Sequence, residues 1–447
     1  MKRYIRLLFI PILFAVYIVW IAQGVESVPF HPDESSLLYQ SREFESLLTE
    51  PLSLAWDSSN PDDYDQTYRA LNAPLTKYVL GMGRRLAGYG ADAVSTDWDW
   101  SKTWQENQAT GALPADALLT ASRLTITLLF PFSLLLLYRI GVTLRSRTMG
   151  YAAVFLFATN ALILLHNRRA MAEGVLTFGV CMAILGMFEA DRKPWLAGLG
   201  AALAASAKYS CAPLLLINFL ACVWIPSHES SNRSRILRNI LIYATVAALT
   251  IFILSPIAWT DPIQAFTQIW NARQEFVERQ VNTLRELQPA QVLDTFPMRT
   301  AVMLGHLYLS PLQFEEVGNY QTQIAPMVNA YLADSLHNLF RNPLGAGLLL
   351  LLTILGIVLG LRYLTLARDR QGKRKRALLL LATTVQIVSL LIAIPLPYQR
   401  YWIPMVPFIC LWAAYSIEEL LQLTQKQAAR RTGGLSDQTQ EPNQSRK

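Results

Sequence analysis

The stretch Ile5-Arg6-Leu7-Leu8-Phe9-Ile10-Pro11-Ile12-Leu13-Phe14-Ala15-Val16-Tyr17-Ile18-Val19-Trp20-Ile21-Ala22-Gln23-Gly24 is apolar except for Arg6 and Gln23, and His31-Pro32-Asp33-Glu34 follows it closely. Roughly 20 residues rising about 1.5 Å each cross a ~30 Å hydrocarbon layer, so the stretch predicts a first membrane span. Its apolar core is too long for a secretory leader and no small-x-small cleavage pattern follows, so the span is expected to be retained. Asp33 and Glu34 then fall at or just above the bilayer surface, either as a helix cap or as chemistry.

The remaining chain has the composition of a multispanning membrane protein. Of its 447 residues 52% are hydrophobic and 16% charged, and the mean hydropathy is +0.26. The net charge of +7 gathers in particular loops without interleaved aromatics, which argues for topology rather than a nucleic-acid surface. Cys181, Cys211, Cys222 and Cys410 lie in apolar stretches and lack metal-site spacing.

Working outward, residues 25–116 form a polar outer region too long for a simple connector. Within it, Asn72 to Gly90 puts Leu75, Tyr78, Val79, Met82, Leu86 and Tyr89 on one helical face and Lys77, Gly81, Arg84 and Arg85 on the other. Two arginines in its body disfavour a span, and the pattern predicts an interface helix with its basic face toward water. Further spans are expected over Leu118–Leu144, Met149–Leu165, Gly174–Ala190, a two-helix hairpin in Trp195–Ile225 with Lys208 near its outer apex, Ile236–Ile257, Leu344–Leu364, Ala377–Ile394 and a last one ending near Leu421. The basic groups Arg145/Arg147, Arg192/Lys193, Arg233/Arg235/Arg238 and Arg368–Arg376 mark the cytoplasmic loops, which leaves both termini cytoplasmic. The fold expected is all-α and polytopic, with about ten to eleven transmembrane helices, juxtamembrane helices in the first outer loop and a second outer loop region. The divisions are residues 1–258, including the outer loop 25–116; an outer region 259–343 containing a second interface helix over Ile263–Leu284; a helical segment 344–424; and a disordered tail 425–447.

The outer side collects the acids Asp33, Glu34 and Glu173 and the bases Lys77, Arg84, Arg85, Arg168, Arg169, Lys208 and Arg400. Such a set suits a ligand with its tail in the bilayer and an anionic phosphate at the surface. Arg and Lys hold phosphate oxygens, and a carboxylate takes a proton from an incoming hydroxyl.

Five motifs in order carry a family resemblance: His31-Pro32-Asp33-Glu34, Asn72-Ala73-Pro74-Leu75-Thr76-Lys77-Tyr78, Ala121-Ser122-Arg123-Leu124, Arg169-Ala170-Met171-Ala172-Glu173 and Ala204-Ala205-Ser206-Ala207-Lys208-Tyr209. Arg400-Tyr401 with Pro404 and Pro407 adds a sixth, less distinctive match. The chain resembles the GT-C glycosyltransferases, in particular dolichyl-phosphate-mannose protein mannosyltransferases and bacterial aminoarabinose transferases. It departs from them at Ala73-Pro74-Leu75, where relatives often have Pro-Pro-Leu, and in placing Lys77 after that pair.

The resemblance implies sugar transfer from a polyprenyl-phosphate donor to a lipid, glycan or protein acceptor on the outer face of a plasma membrane, with the bacterial inner membrane favoured, by single displacement with inversion. It makes Asp33 the catalytic base, with Glu34 as its supporting acid. Lys77, Arg169, Lys208 and Arg400 become donor-phosphate ligands, with Glu173, His31 and Arg123 in support. His31 has a competing reading as a capping residue, and Arg123 as a structural partner of an acid in the bundle. No cofactor is expected; Asp33, Glu34 and Glu173 are the acids that could converge on a divalent metal. The alternative class is a transporter or flippase for an anionic lipid or solute, which would often show related halves and broken mid-membrane helices.

Overall fold

The computed structural model describes residues 2–224, 232–316 and 320–436, and every regular element among them is helical. The first apolar run forms α1 (Lys2–Gln23). The polar region that follows, expected on the outer side, holds five short helices, α2 (Pro32–Ser41), α3 (Glu43–Thr49), α4 (Tyr64–Leu71), α5 (Leu75–Leu86) and α6 (Trp104–Ala109).

The bundle comprises α7 (Asp116–Thr127) and α8 (Phe130–Leu144), then α9 (Arg147–Ala158), α10 (Ala161–His166), α11 (Ala172–Glu189), α12 (Pro194–Ala207), α13 (Pro213–Val223) and α14 (Asn232–Leu254). Pro131 in the first turn of α8 separates it from α7. Asn160 separates α9 from α10, its side chain accepting from the Leu162 and Ile163 amides. The second outer region carries α15 (Pro262–Leu287), α16 (Phe296–Leu304) and α17 (Gln321–Ala333), and the chain closes with α18 (Pro343–Leu366), α19 (Arg370–Ala393) and α20 (Val406–Ser436).

Among the described residues, six helical segments are long and apolar enough to cross a membrane: Asp116–Leu144, Ala172–Glu189, Arg233–Leu254, Pro343–Leu366, Arg370–Ala393 and Gln399–Ala428. Ile12–Gln23, Pro194–Ala207 and Tyr209–Val223 are shorter apolar helices. Burial ranks them, from 83% of the Gln399–Ala428 window and 78% of Ala172–Glu189 down to 17% of Arg233–Leu254. The core therefore sits around α20 and α11, while α14 turns Leu237, Leu241, Leu249 and Ile253 outward toward lipid.

Small residues bring α11 and α12 together. A Cβ on Gly186 would lie 2.6 Å from the Ala197 Cα, and one on Gly179 would lie 2.8 Å from the Ala204 Cα. Backbones that approach this closely gain dispersion contacts, which replace the hydrophobic drive that lipid does not supply.

The two-helix hairpin expected over Trp195–Ile225 is present as α12 and α13. Arg374 closes its base, donating to the Ala221 carbonyl at 2.6 Å and the Trp224 carbonyl at 2.5 Å while pairing with Asp191 at 3.6 Å. Both ends of the hairpin thus lie on one face, and Lys208 sits at the turn on the other.

Two expectations are corrected. The basic face of α5 reaches water at Arg85 alone, since Lys77 and Arg84 are fully buried while Met82 and Leu86 on the apolar face are exposed. The acids of α3 reverse the pattern, because Lys77 bonds Glu43 at 2.5 Å and Arg84 pairs with Glu45. Second, α20 continues to Ser436, so the part of the tail from Gln425 to Ser436 is helical rather than disordered, and the rest of the expected tail lies outside the described residues.

Candidate active site

The first turn of α2 sets the geometry of the acid pair. His31 is the N-cap, its Nδ1 accepting from the Asp33 amide at 3.1 Å, and Glu34 Oε2 accepts in return from the His31 amide at 3.0 Å. Pro32 occupies the first helical position, where a missing N–H leaves no bond unmade. Neighbouring helix residues diverge by about 100°, so Asp33 and Glu34 face different surroundings.

Glu34 is fully buried and its oxygens are committed. Arg123 donates Nε to Oε1 and Nη2 to Oε2, each at 2.7 Å, and the Ala170 amide donates to Oε1 at 2.8 Å. Arg123 also holds the Val25 and Val28 carbonyls at 2.8 and 2.9 Å. This pair ties the end of the α1 loop, α2, α7 and the turn before α11 into one corner. The expected partnership of Glu34 with Asp33 in chemistry is therefore corrected to a structural one with Arg123.

Asp33 keeps 28% of its side chain exposed and is bound by Arg400. Arg400 also grips Glu316, Nε lying 2.6 Å from Oε1 and Nη2 donating to Oε2 at 2.8 Å. One guanidinium thus serves two carboxylates. Burial raises the Glu316 carboxyl pKa to about 7; Arg400 opposes that rise and the neighbouring Asp33 charge adds to it.

Lys208 approaches from the hairpin turn and bonds Glu173 at 3.0 Å, its ammonium 4.8 Å from the Tyr401 ring centroid. Arg169 is fully buried, with Nε on the Pro29 carbonyl and Nη2 on the Phe314 carbonyl, and it has no carboxylate within ion-pair distance among the described residues. His166 lies among Glu173, Arg169, Arg400 and Lys208.

Polar atoms without a protein partner concentrate here: His31 Nε2, Arg169 Nη1, Glu173 Oε2, the Tyr320 hydroxyl and both His166 ring nitrogens. Burial, reinforced by Arg400 and Arg169, holds the His31 imidazole pKa well below its ordinary value. With Nδ1 accepting, its remaining N–H is on Nε2 and is free to donate. So many unpaired polar groups gathered together are costly in a packed interior, which makes this cluster the candidate site.

Asp33, Arg169, Glu173, Lys208 and Arg400 are thus brought into one cluster. Lys77 is not among them, since its ion partner is Glu43, which Arg69 also holds at 3.1 Å. Nor do Asp33, Glu34 and Glu173 converge on one point, each being bound to a different cation. Glu316, His166 and Tyr320 were missed. The acid pair Glu315-Glu316 after an apolar stretch was a legible signal, whereas nothing local distinguishes His166 or Tyr320.

Fold and site together describe a helical membrane protein with a cluster of buried charged side chains where α2, the turn before α11, the α12–α13 turn and the start of the Gln399–Ala428 segment meet. The family model for dolichyl-phosphate-mannose-protein mannosyltransferase matches residues 47–265, slightly under half of the chain. That match carries Lys77, Arg123, Arg169, Glu173 and Lys208. Among solved structures, the Archaeoglobus fulgidus oligosaccharyltransferase in complex with Zn and sulfate has a TM-score of 0.50 at 13% identity, over 92% of this chain and 50% of that one. The oligosaccharyltransferase AglB from the same organism, in complex with an inhibitory peptide and a dolichol-phosphate, gives 0.49 at 11% identity, over 98% and 53%. The S. cerevisiae protein O-mannosyltransferase Pmt1-Pmt2 complex bound to the sugar donor gives 0.37 at 13%, over 57% and 34%. The chain spans about half the length of the oligosaccharyltransferases it matches. A search of curated proteins finds no match.

Proposed function

We propose that the protein is an integral membrane glycosyltransferase, inverting, that moves a hexosyl or pentosyl group from a polyprenyl-phosphate donor to a hydroxyl of a lipid, glycan or protein acceptor at the outer face. The observation that carries this is the part-exposed Asp33 carboxylate bound by Arg400, with Lys208 and Arg169, whose Nη1 is unpaired, contributed by distant chain segments. The matched family description names a dolichyl-phosphate-mannose donor, which supports the same class of substrate.

In this proposal the donor phosphate draws Arg400 away from Asp33 and is held by Arg400, Arg169 and Lys208. Release of Arg400 leaves Asp33 as a free carboxylate that accepts the acceptor hydroxyl's proton. The new acceptor O–C1 bond forms as the C1–O bond to phosphate breaks, and the phosphate departs with that electron pair onto the cations. The proposed topology takes ten crossings, through α1, α7–α8, α9–α10, α11, α12, α13, α14, α18, α19 and α20; an even number puts both termini on one side, and the basic loops assign that side to the cytoplasm of a cell with this protein in its inner membrane.

The test is a membrane assay with lipid-linked sugars. Asp33→Asn is expected to lower transfer about 10²–10⁴-fold without a change in folding. Wild-type transfer by folded Asp33→Asn would remove Asp33 as the base, and movement of labelled lipid across vesicles without its consumption would establish a flippase instead. For topology, an impermeant thiol reagent on sealed cells should label Ser58→Cys and Gln291→Cys but not Gln371→Cys.

A further inference from the structure

At the other end of the bundle a charged cavity lies between the last turns of α8 and α18 and the first turn of α19. Its volume is about 170 Å³, and Arg145, Tyr363, Asp369, Gly372, Lys375 and Arg376 line it. Arg400 opens the Gln399–Ala428 segment and Glu419 lies 19 residues further along it (419 − 400), where it pairs with Arg145 at 3.1 Å, so the cavity and Asp33 lie toward opposite ends of that span. The geometry points to a binding site for the phosphate of an anionic phospholipid from the facing leaflet.

Basic residues at a span end are ordinarily solvated flanks, as Arg368 and Arg370 are, both being exposed. Arg376 differs. It is 2% exposed, and its guanidinium carbon lies 3.7 Å from the Tyr363 ring centroid and 5.1 Å from that of Tyr415. Nε donates to the Tyr415 hydroxyl at 3.0 Å and Nη1 to the Gly372 carbonyl at 3.0 Å, and among the described residues Nη2 has no hydrogen-bond acceptor. Lys375 makes one bond, to the Thr143 carbonyl at 3.0 Å. Neither Lys375 nor Arg376 has a carboxylate within 4 Å among the described residues.

Asp369, the acid in the lining, is occupied as the cap of α19. Oδ1 accepts from the Gln371 amide at 3.1 Å, and Oδ2 from the Gly372 amide at 3.1 Å and the Tyr363 hydroxyl at 3.3 Å. Balancing the three lining cations against Asp369 and the nearby Glu419, with Glu189 and Asp191 around Lys375 offset by Arg192 and Arg374, leaves one positive charge, which a phosphodiester anion matches. Gly372 keeps the space open, because a Cβ there would collide with Asp369 Oδ2 and lie 2.9 Å from both Arg376 Nη1 and the Tyr363 hydroxyl. A lipid is favoured over soluble phosphate because Leu361 and Leu366 at the same end of α18 are 45% and 69% exposed and offer an apolar seat for acyl chains.

The experiment uses the purified full-length protein in neutral detergent, with binding followed by native mass spectrometry and by melting temperature. Phosphatidylglycerol should bind and stabilise, phosphatidylcholine should not, and inorganic phosphate and glycerol phosphate should do so only weakly. Lys375→Gln should weaken phosphatidylglycerol binding about fivefold, and Gly372→Ala, which narrows the cavity, should weaken it as well. Arg376→Gln tests the stacked cation directly; should it fail to fold, Lys375→Gln carries the test by itself, since its side chain is half-buried and lightly bonded. Equal stabilisation by the two phospholipids, undiminished binding in Lys375→Gln, or a full effect from inorganic phosphate would overturn the inference.

Discussion

Replacing Glu34 by Ala separates structure from chemistry in the His31-Pro32-Asp33-Glu34 turn. The change removes the acceptor of two Arg123 bonds at 2.7 Å and of the His31 and Ala170 amides at 3.0 and 2.8 Å. It leaves Arg123, 4% exposed, with only the Val25 and Val28 carbonyls. Breaking one side of a buried ion pair costs about 3–5 kcal/mol, most of it from the uncompensated charge that remains. Glu34→Ala should therefore lose about that much stability, Arg123→Ala a similar amount, and the double variant much less than their sum. A coupling of about 2–3 kcal/mol is expected, near the top of the range for contacting residues. The assay is a thermal or denaturant series on detergent-solubilised, fluorescently tagged protein, with sugar transfer measured on whatever fraction stays folded. Unchanged stability in Glu34→Ala, strict additivity with Arg123→Ala, or a slow enzyme of normal stability would each refute the structural assignment.

Three further outcomes follow from the same geometry. Lys77→Met should destabilise the outer region while the Michaelis constant for donor stays unchanged, because Lys77 is buried against Glu43 and its ammonium pKa is already lowered by that burial; a selective rise in donor Michaelis constant would return Lys77 to the pocket. Arg400→Gln should reduce turnover about 10²–10³-fold, and Arg400→Lys should recover only part of that, since an ammonium cannot span Asp33 and Glu316 as a guanidinium fork does; full activity in Arg400→Lys would exclude the fork's role. Glu316 has a folded-state pKa raised from 4.5 to about 7, so the folded protein binds the extra proton between those values. Its contribution to stability is complete below the unfolded pKa and is lost as pH rises through about 7. Melting temperature should fall over that interval in the wild type and less in Glu316→Gln, and parallel profiles would assign the dependence to another group.

Much of the bundle was legible because hydropathy and helical period are local properties. The Lys208 apex was placed by parity alone, and the Arg374 bonds to Ala221 and Trp224 agree with it. The α5 reversal was not legible, since a basic face looks the same whether water or the acids of α3 neutralise it. The His31 capping alternative was visible in the spacing of His31 and Glu34, and it is the one the structure adopts.

The sequence by itself determined an all-helical membrane chain, because transfer into lipid depends on each segment's own side chains. Only the tertiary structure decided which charge answers which. Asp33 and Arg400 are 367 positions apart and Glu34 and Arg123 are 89, and no local rule ranks such pairings. Burial makes each ion take the partner that packing brings within reach, so two adjacent acids parted into a pocket and a brace.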